Sequence, residues 1–169
     1  MISGRLMWKV SLVGDTESGK SSLISRIVFD SEAGSFINKG LLRKKVSFED
    51  DGKNYHAELI FQEIDGFPDN EKLLAGSSAI IIVVDVTKKL NEGEVTKFIK
   101  NSQKKGLLIL AANKVDRKYE AVTWKEDLEP MAKKFGLNLY MVSAKQPETV
   151  NNMVNGISRL LIGRINGKR

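Results

Sequence analysis

The residues best suited to chemistry lie in the stretch 14–22, which reads GDTESGKSS. Within it Gly14, Gly19, Lys20 and Ser21 follow the spacing G-x-x-x-x-G-K-[ST]. In that pattern the backbone N–H groups of the loop turn toward phosphate oxygens at the start of a helix. The lysine supplies a point charge for the β- and γ-phosphates, and the hydroxyl supplies a ligand for Mg²⁺. The stretch therefore predicts a phosphate-binding loop rather than an ordinary turn that contains glycine.

Two further polar motifs indicate which base the ligand carries. NKVD occupies residues 113–116 and SAK occupies residues 143–145, each directly after an apolar run. The carboxylate of Asp116 can accept two hydrogen bonds side by side, which guanine offers from N1–H and its exocyclic amine and adenine does not. The backbone N–H of Ala144 is a candidate donor to the guanine carbonyl oxygen. Each motif alone is also compatible with a polar strand-to-helix loop, but together they predict a guanine nucleotide.

Continuous apolar runs alternate with helical patterns along the chain. Short apolar or alternating runs predict strands at residues 6–13, 44–49, 55–62, 79–86, 107–113 and 137–143. Helical periodicity predicts helices at residues 20–29, 91–103, 123–135 and 147–165. Thr123 and Glu126 have the spacing of a capping box, and Pro130 leaves open two short helices or one kinked helix.

This order of elements predicts the fold class. Apolar strands separated by helices indicate a parallel sheet with both faces covered, and DDGKN at 50–54 predicts a hairpin that adds an antiparallel edge strand. We expect a single α/β domain over residues 1–169, with a six-stranded, mostly parallel sheet and about five helices. Ligands in such sheets bind at the carboxyl ends of the strands, where the sequence places Gly14, Asp85, Asn113 and Ser143.

Composition limits the class of partner and the compartment. The 169 residues carry a net charge of +6 and no cysteine, and no apolar run approaches the roughly 20 residues of a membrane span. No basic cluster is interleaved with aromatic residues, so we expect no nucleic-acid partner. The sequence shows no signal peptide, and it has neither a glycine after the first methionine nor a C-terminal cysteine for lipid attachment. We expect a soluble, cytoplasmic protein without a membrane anchor in this chain, and we expect any peripheral contact with membranes to come from partners or from residues missing from it.

The motifs GDTESGKS, VVDVT, NKVD and SAK, in this order and spacing, resemble those of the Ras-like small GTPases over nearly the whole chain. The resemblance implies a P-loop domain that binds GTP or GDP with Mg²⁺ and works with effectors, a GTPase-activating protein and an exchange factor. It also implies that Lys114 packs along the nucleotide and that Asn113 ties its loop to the phosphate loop. Ser21 is the candidate metal ligand. The candidate nucleotide contacts are Asp15, Thr16, Glu17, Ser18, Gly19, Lys20, Ser21, Ser22, Gly66, Asn113, Lys114, Asp116, Ser143, Ala144 and Lys145.

The parts that sense the γ-phosphate differ from the family pattern. The family has a switch threonine between the first helix and the second strand, but this chain has no threonine between Thr16 and Thr87. Ser31 and Ser35 are the candidate replacement hydroxyls. The family motif D-x-x-G reads Glu-Ile-Asp-Gly at residues 63–66, so a glutamate stands where the family has the aspartate near Mg²⁺. Gly66 is still expected to offer its N–H to the γ-phosphate.

The catalytic glutamine of the family is also replaced. Phe67 stands at its position, and phenylalanine can neither donate a hydrogen bond to water nor accept one. Thr16 stands in the phosphate loop where many Ras members have glycine, and a side chain there crowds the transition state. No residue of this chain is therefore assigned a catalytic role, and a partner remains a possible source of the missing group.

Two functions remain open from the sequence. The first is a GTP/GDP switch in signalling or trafficking with slow or partner-dependent hydrolysis. The second is a pseudo-GTPase that serves as an interaction module, with or without nucleotide. Asp116 disfavours an adenine-nucleotide kinase. His56 is expected on a strand surface, and Asp85 is expected to cap a loop, with a place near the metal as the alternative.

Overall fold

A computed structural model describes residues 6–30, 42–69 and 71–167 of the chain. Six strands form one sheet: β1 (Leu6–Gly14), β2 (Leu42–Asp50), β3 (Lys53–Asp65), β4 (Ala79–Asp85), β5 (Leu107–Asn113) and β6 (Asn138–Val142). Their order across the sheet is β2-β3-β1-β4-β5-β6. Only β2 and β3 pair antiparallel, and every other pairing among the described strands is parallel. The prediction of a mostly parallel sheet with an antiparallel edge strand is confirmed.

The described helices lie between these strands. The α-helices are α1 (Lys20–Phe29), α2 (Glu92–Ser102), α3 (Lys125–Phe135) and α4 (Pro147–Ile165), and short 3-10 helices occupy Glu71–Leu74 and Val115–Glu120. The helix content agrees with the expected P-loop α/β fold. None of the helices in the described ranges combines the length and apolar composition that crossing a membrane requires.

Side chains alternate between the two faces of the central strands and enter two separate cores. Ile81 and Val83 of β4 join the core packed by α1 and α4, whereas Ile80 and Ile82 join the core packed by α2 and α3. All seven residues of β4 are buried, which explains why its sequence is continuously apolar until Asp85. The sheet is thus rigidly held between helices, and its carboxyl edge can position loops accurately.

The hairpin forms where the sequence predicts it. Asp50 pairs with Lys53, so Asp51 and Gly52 form a two-residue turn with φ angles of +53° and +75°. Positive φ at both central positions matches the turn that suits the right-handed twist of a hairpin. Both strands extend beyond their predicted ends. Nine consecutive positions of β2 and β3 pair with each other, and β3 continues to Asp65 because its last residues pair with β1.

The start of α3 differs from the prediction. The capping box of Thr123 with Glu126 is wrong, because Thr123 donates its hydroxyl to the Lys88 carbonyl at 2.8 Å. Instead the Asp127 carboxylate accepts a hydrogen bond from the Trp124 N–H at 2.8 Å, so Trp124 is the N-cap and the helix begins at Lys125, two residues after its predicted start. Pro130 lies inside a single helix rather than between two.

Candidate functional site

The phosphate loop joins β1 to α1 and has an unusual backbone. Glu17 has φ +70° and Gly19 has φ +100°, and the Ser18 N–H donates to the Asp15 carbonyl at 3.1 Å. A left-handed conformation at a residue other than glycine costs about 1–2 kcal/mol, so the fold must hold Glu17 in place. Asp15, Thr16 and Glu17 are exposed, whereas Ser18 is buried. The loop therefore presents its outer residues to solvent around a fixed turn.

Lys20 is a buried cation with partners on the loop itself. Only 2% of the residue is exposed. Its Nζ donates to the Gly14 carbonyl at 2.6 Å and to the Asp15 carbonyl at 2.7 Å, and lies 3.3 Å from Asp65 Oδ1. These carbonyls orient the ammonium group at the carboxyl end of β1, where a parallel sheet binds its ligands.

Ser21 contacts the residue that replaces the family's aspartate. Its hydroxyl donates to Glu63 Oε2 at 2.6 Å. A hydroxyl beside a carboxylate is a donor set that suits Mg²⁺, which usually takes few protein ligands and completes its shell with water and phosphate oxygens. No group of three or more histidine, aspartate or glutamate side chains that could hold a metal occurs in the described part of the chain.

The segment after β3 is bonded to the end of β1, and its Phe67 borders a recess together with Asp15, Thr16, Glu17 and Ser18 of the phosphate loop. Gly66 and Gly14 exchange two backbone hydrogen bonds, and the Gly66 N–H reaches the Gly14 carbonyl at 2.7 Å. This N–H, which the sequence assigns to a phosphate, here faces the protein. The Phe67 ring packs on Phe98 of α2 with centroids 5.6 Å apart. Ser31 and Ser35, the candidate switch hydroxyls, lie outside the described residues.

The NKVD segment holds the phosphate loop from the side. Asn113 Nδ2 donates to the Ser18 carbonyl at 2.9 Å, and Lys114 Nζ donates to the Glu17 carbonyl at 2.7 Å. Asn113 Oδ1 is buried and has no hydrogen-bond partner among the described residues. A buried acceptor of this kind is costly without a donor, so it fits a ligand that supplies one. A Cβ at Gly19 would overlap Asn113 Nδ2, which explains why glycine is required there.

The SAK loop borders a recess next to the phosphate loop. Ser143 Oγ donates to Asp116 Oδ1 at 2.6 Å, and the Lys145 N–H donates to Ser143 Oγ at 3.1 Å. These contacts orient the Asp116 carboxylate. A recess at this point is lined by Gly19, Ser22, Asn113, Lys114, Asp116, Arg117, Ser143, Ala144 and Lys145. The structure therefore brings the phosphate loop, NKVD and SAK together at one recess. Ser18 and Asn113, which are hydrogen-bonded, are 95 positions apart in the sequence.

Asp85 caps the loop after β4 and anchors Lys114. Its Oδ1 accepts hydrogen bonds from the Thr87 N–H at 2.8 Å and the Thr87 hydroxyl at 2.6 Å, and its Oδ2 lies 2.9 Å from Lys114 Nζ. Burial raises the pKa of Asp85, but the hydrogen bonds from Thr87 and Lys114 outweigh it and hold the pKa below its ordinary value. These contacts show the loop-capping role expected from the sequence. His56 lies exposed on β3 beside Ser47, as expected.

Replacing Asp85 with asparagine is expected to lower the free energy of unfolding by about 1–3 kcal/mol at pH 7, because an amide cannot serve all three donors. The pKa of Asp85 is lower in the folded than in the unfolded protein. Its contribution to the free energy of unfolding is therefore complete above the unfolded pKa of about 3.9, and it disappears as the pH falls through the folded pKa. Urea unfolding between pH 7 and pH 3 measures this difference. The exposed Asp69→Asn serves as the control, and a deficit that persists unchanged at the lowest pH would contradict the account.

Three supporting residues were not found from the sequence. Arg26 of α1 donates from Nε to the Ala144 carbonyl at 2.6 Å, and Thr149 of α4 accepts from the Ser143 N–H at 3.0 Å. Arg117 borders the recess and pairs with Glu120. Arg26 lies 118 residues from Ala144 along the chain, whereas Thr149 follows Ser143 by only six residues. Both lie in helical patterns, and no local signal distinguishes them from surface residues. Arg117 directly follows NKVD in the sequence, and this position could have identified it as a residue that borders the recess.

Comparison with known proteins agrees with the geometry. Residues 9–162 match the Ras family. The chain is 29% identical over 161 aligned positions to Ras-related protein Rab-31 of Rattus norvegicus, in an alignment that covers 89% of this chain and 81% of that protein. It is 30% identical over 166 positions to GTP-binding protein ypt5 of Schizosaccharomyces pombe, with coverage of 90% and 77%. It is 27% identical over 173 positions to Ras-related protein SEC4 of Saccharomyces cerevisiae, with coverage of 95% and 78%.

The family match spans most of the chain, and the loops that define the family converge on one edge of the sheet. The chain therefore belongs to the Ras family of small GTPases.

Proposed function

We propose that residues 1–169 form a single guanine-nucleotide domain that binds GTP or GDP with Mg²⁺ and acts as a switch in signalling or trafficking. The observation that carries this proposal is the orientation of Asp116 by Ser143 inside the recess that borders the phosphate loop. A carboxylate held there accepts the two neighbouring donors of guanine, and the Ala144 N–H lies on the same loop. Ser22 and Lys145 form part of the same recess.

The phosphates would be held by the loop of Asp15, Thr16, Glu17, Ser18 and Gly19 and by Lys20. Backbone N–H groups at the start of α1 and the Lys20 ammonium suit oxygen anions. Ser21 is the residue that would bind Mg²⁺, beside Glu63. When bound, Mg²⁺ neutralises charge on the β- and γ-phosphates. Lys114 and Asn113 would fix the position of the base-binding recess relative to the phosphate loop, because both donate hydrogen bonds to carbonyls of that loop.

Hydrolysis is proposed to be slow without a partner. In the family a glutamine orients the attacking water, whereas Phe67 has no polar side-chain atom and packs on Phe98. The Gly66 N–H is bonded to Gly14 and must be released before it can reach a terminal phosphate. A GTPase-activating protein would supply the missing group, and an exchange factor and effectors would complete the cycle. We propose a cytoplasmic location with peripheral membrane contact through such partners, in line with a cysteine-free sequence.

The purified protein is expected to carry a guanine nucleotide and to hydrolyse GTP, in single turnover with Mg²⁺, more slowly than about 10⁻⁴ s⁻¹. The intrinsic rate of Ras is about 3–5 × 10⁻⁴ s⁻¹. Chromatography of the released nucleotide and a phosphate-release assay measure both quantities, with Lys20→Ala as the variant that should bind none. Turnover at the Ras rate or above would contradict slow hydrolysis. A protein that neither carries nor binds GTP or GDP would contradict nucleotide binding.

The pseudo-GTPase is a second candidate, because Lys20 already has oxygen partners within the protein. Two carbonyls and the Asp65 carboxylate surround its ammonium group. A stable fold without nucleotide is therefore compatible with these contacts. The same experiment separates the candidates: bound nucleotide that is never hydrolysed, even with a partner, favours the pseudo-GTPase.

A further inference from the structure

Three consecutive residues at and after the end of β3 are each fixed by a separate contact. Asp65 Oδ1 lies 3.3 Å from Lys20 Nζ, Gly66 exchanges two backbone hydrogen bonds with Gly14, and the Phe67 ring packs on Phe98. We call residues 65–67 the latch. Because its second and third residues are fixed to β1 and α2, the latch holds the Asp65 carboxylate beside the buried ammonium group of the phosphate loop.

The charges around the first turn of α1 are unbalanced. Glu63 and Asp65 are two residues apart on β3, so their side chains lie on the same face of the strand. Glu63 accepts from Ser21 and Asp65 pairs with Lys20, which places two carboxylates opposite one cation. The Lys20 side chain is 1% exposed and that of Asp65 is 66% exposed. The Asp65 carboxylate is thus on the solvent side of the buried Lys20 ammonium group.

We infer that Asp65 determines phosphate specificity and makes the site favour GDP over GTP. This inference rests on the proposed function. A phosphate oxygen bonded to Lys20 lies within roughly 6 Å of the Asp65 carboxylate, because both contact the same ammonium group. GTP carries one more negative charge than GDP, on the terminal phosphate. Repulsion of one unit charge across that distance changes affinity by about threefold in a water-like dielectric and by about a hundredfold at an effective dielectric of 20.

The latch adds a second reason for the same preference. A terminal phosphate that takes the Gly66 N–H must first break its hydrogen bond with the Gly14 carbonyl. GDP has no terminal phosphate and leaves the latch closed. The Asp65 carboxylate repels the β-phosphate of either nucleotide, but GTP brings one further negative charge and only GTP has to open the latch. Both effects therefore weigh more against the triphosphate than against the diphosphate.

The test compares Asp65→Asn with the unchanged protein. Equilibrium titration with fluorescent GDP and with a fluorescent, non-hydrolysable GTP analogue, at saturating Mg²⁺, gives the two dissociation constants. The unchanged protein should bind GDP at least about tenfold more tightly than the GTP analogue. In Asp65→Asn the affinity for both nucleotides should rise, and the affinity for the GTP analogue should rise about tenfold more than that for GDP, so that the GDP preference is lost.

Two variants serve as controls. Asp65→Glu keeps the charge and should keep the GDP preference, and Asp69→Asn removes an exposed charge that forms no ion pair with Lys20 and should leave it unchanged. A preference in Asp65→Asn equal to that of the unchanged protein overturns the inference and leaves nucleotide binding intact. Failure of every protein, the unchanged chain included, to bind either nucleotide overturns the proposed function and this inference with it.

Discussion

Replacing Asp116 with asparagine is expected to lower the affinity for GTP by about 10²–10⁴-fold. The carboxylate, oriented by Ser143 at 2.6 Å, is the proposed acceptor for two donors of guanine. Each hydrogen bond to a charged group contributes about 1.5–3 kcal/mol. The amide keeps one neutral acceptor and turns its NH₂ toward the second guanine donor, so both charge-assisted bonds are lost, which accounts for this range. Xanthine has an oxygen in place of the exocyclic amine, and the new amide can donate to it. Affinity for xanthosine triphosphate should therefore rise in the same variant.

Competition titration with GTP and xanthosine triphosphate measures both changes. Glu126→Gln is the matched control, because it removes an exposed carboxylate from the next helix along the chain and does not line the recess. The control should keep the guanine preference. An Asp116→Asn protein that binds GTP as tightly as the unchanged chain would show that another residue recognises the base.

Replacing Gly19 with alanine is expected to lower the free energy of unfolding by about 2–5 kcal/mol and to abolish tight nucleotide binding. The backbone there has φ +100°, and the added methyl group would overlap Asn113 Nδ2. Either the phosphate loop moves or the hydrogen bond from Asn113 to the Ser18 carbonyl breaks. Strain accounts for about 1–2 kcal/mol of the loss and the buried hydrogen bond for about 1–3 kcal/mol.

Gly136→Ala separates strain from overlap. Gly136 ends α3 with φ +69°, but nothing lies within 4 Å of a Cβ built there. Its replacement should cost only the strain of a left-handed residue, about 1–2 kcal/mol. Urea unfolding of both variants gives the comparison. Equal losses would mean that the contact between Gly19 and Asn113 contributes nothing beyond local backbone strain.

The sheet and the loops at its carboxyl edge were predictable because their signals are local. β4 and β5 are buried on both faces, so their apolar runs identify them without knowledge of their neighbours. The phosphate loop and NKVD each follow such a strand, and the parallel order of strands brings their ends to one edge. The proximity of Asn113 to Ser18 thus follows from the class of fold together with the two motifs.

Contacts between distant side chains were not predictable in the same way. The pair of Lys20 with Asp65 and the bond from Arg26 to the Ala144 carbonyl depend on the exact placement of one chain segment against another. The prediction of the start of α3 was wrong for a different reason. Thr123 had a competing partner, the Lys88 carbonyl, and a capping pattern in sequence contains no information about such a partner.

The two bonds between the NKVD segment and the phosphate loop have a consequence for ligand exchange. Because Asn113 and Lys114 fix Ser18 and Glu17, the subsites proposed above for a base and for a polyphosphate would be held at a constant separation. A nucleotide then behaves as a bivalent ligand whose second half binds at a high effective concentration once the first is seated. Neither half alone would need high affinity, and we expect a partner that moves the two loops apart to release both halves together.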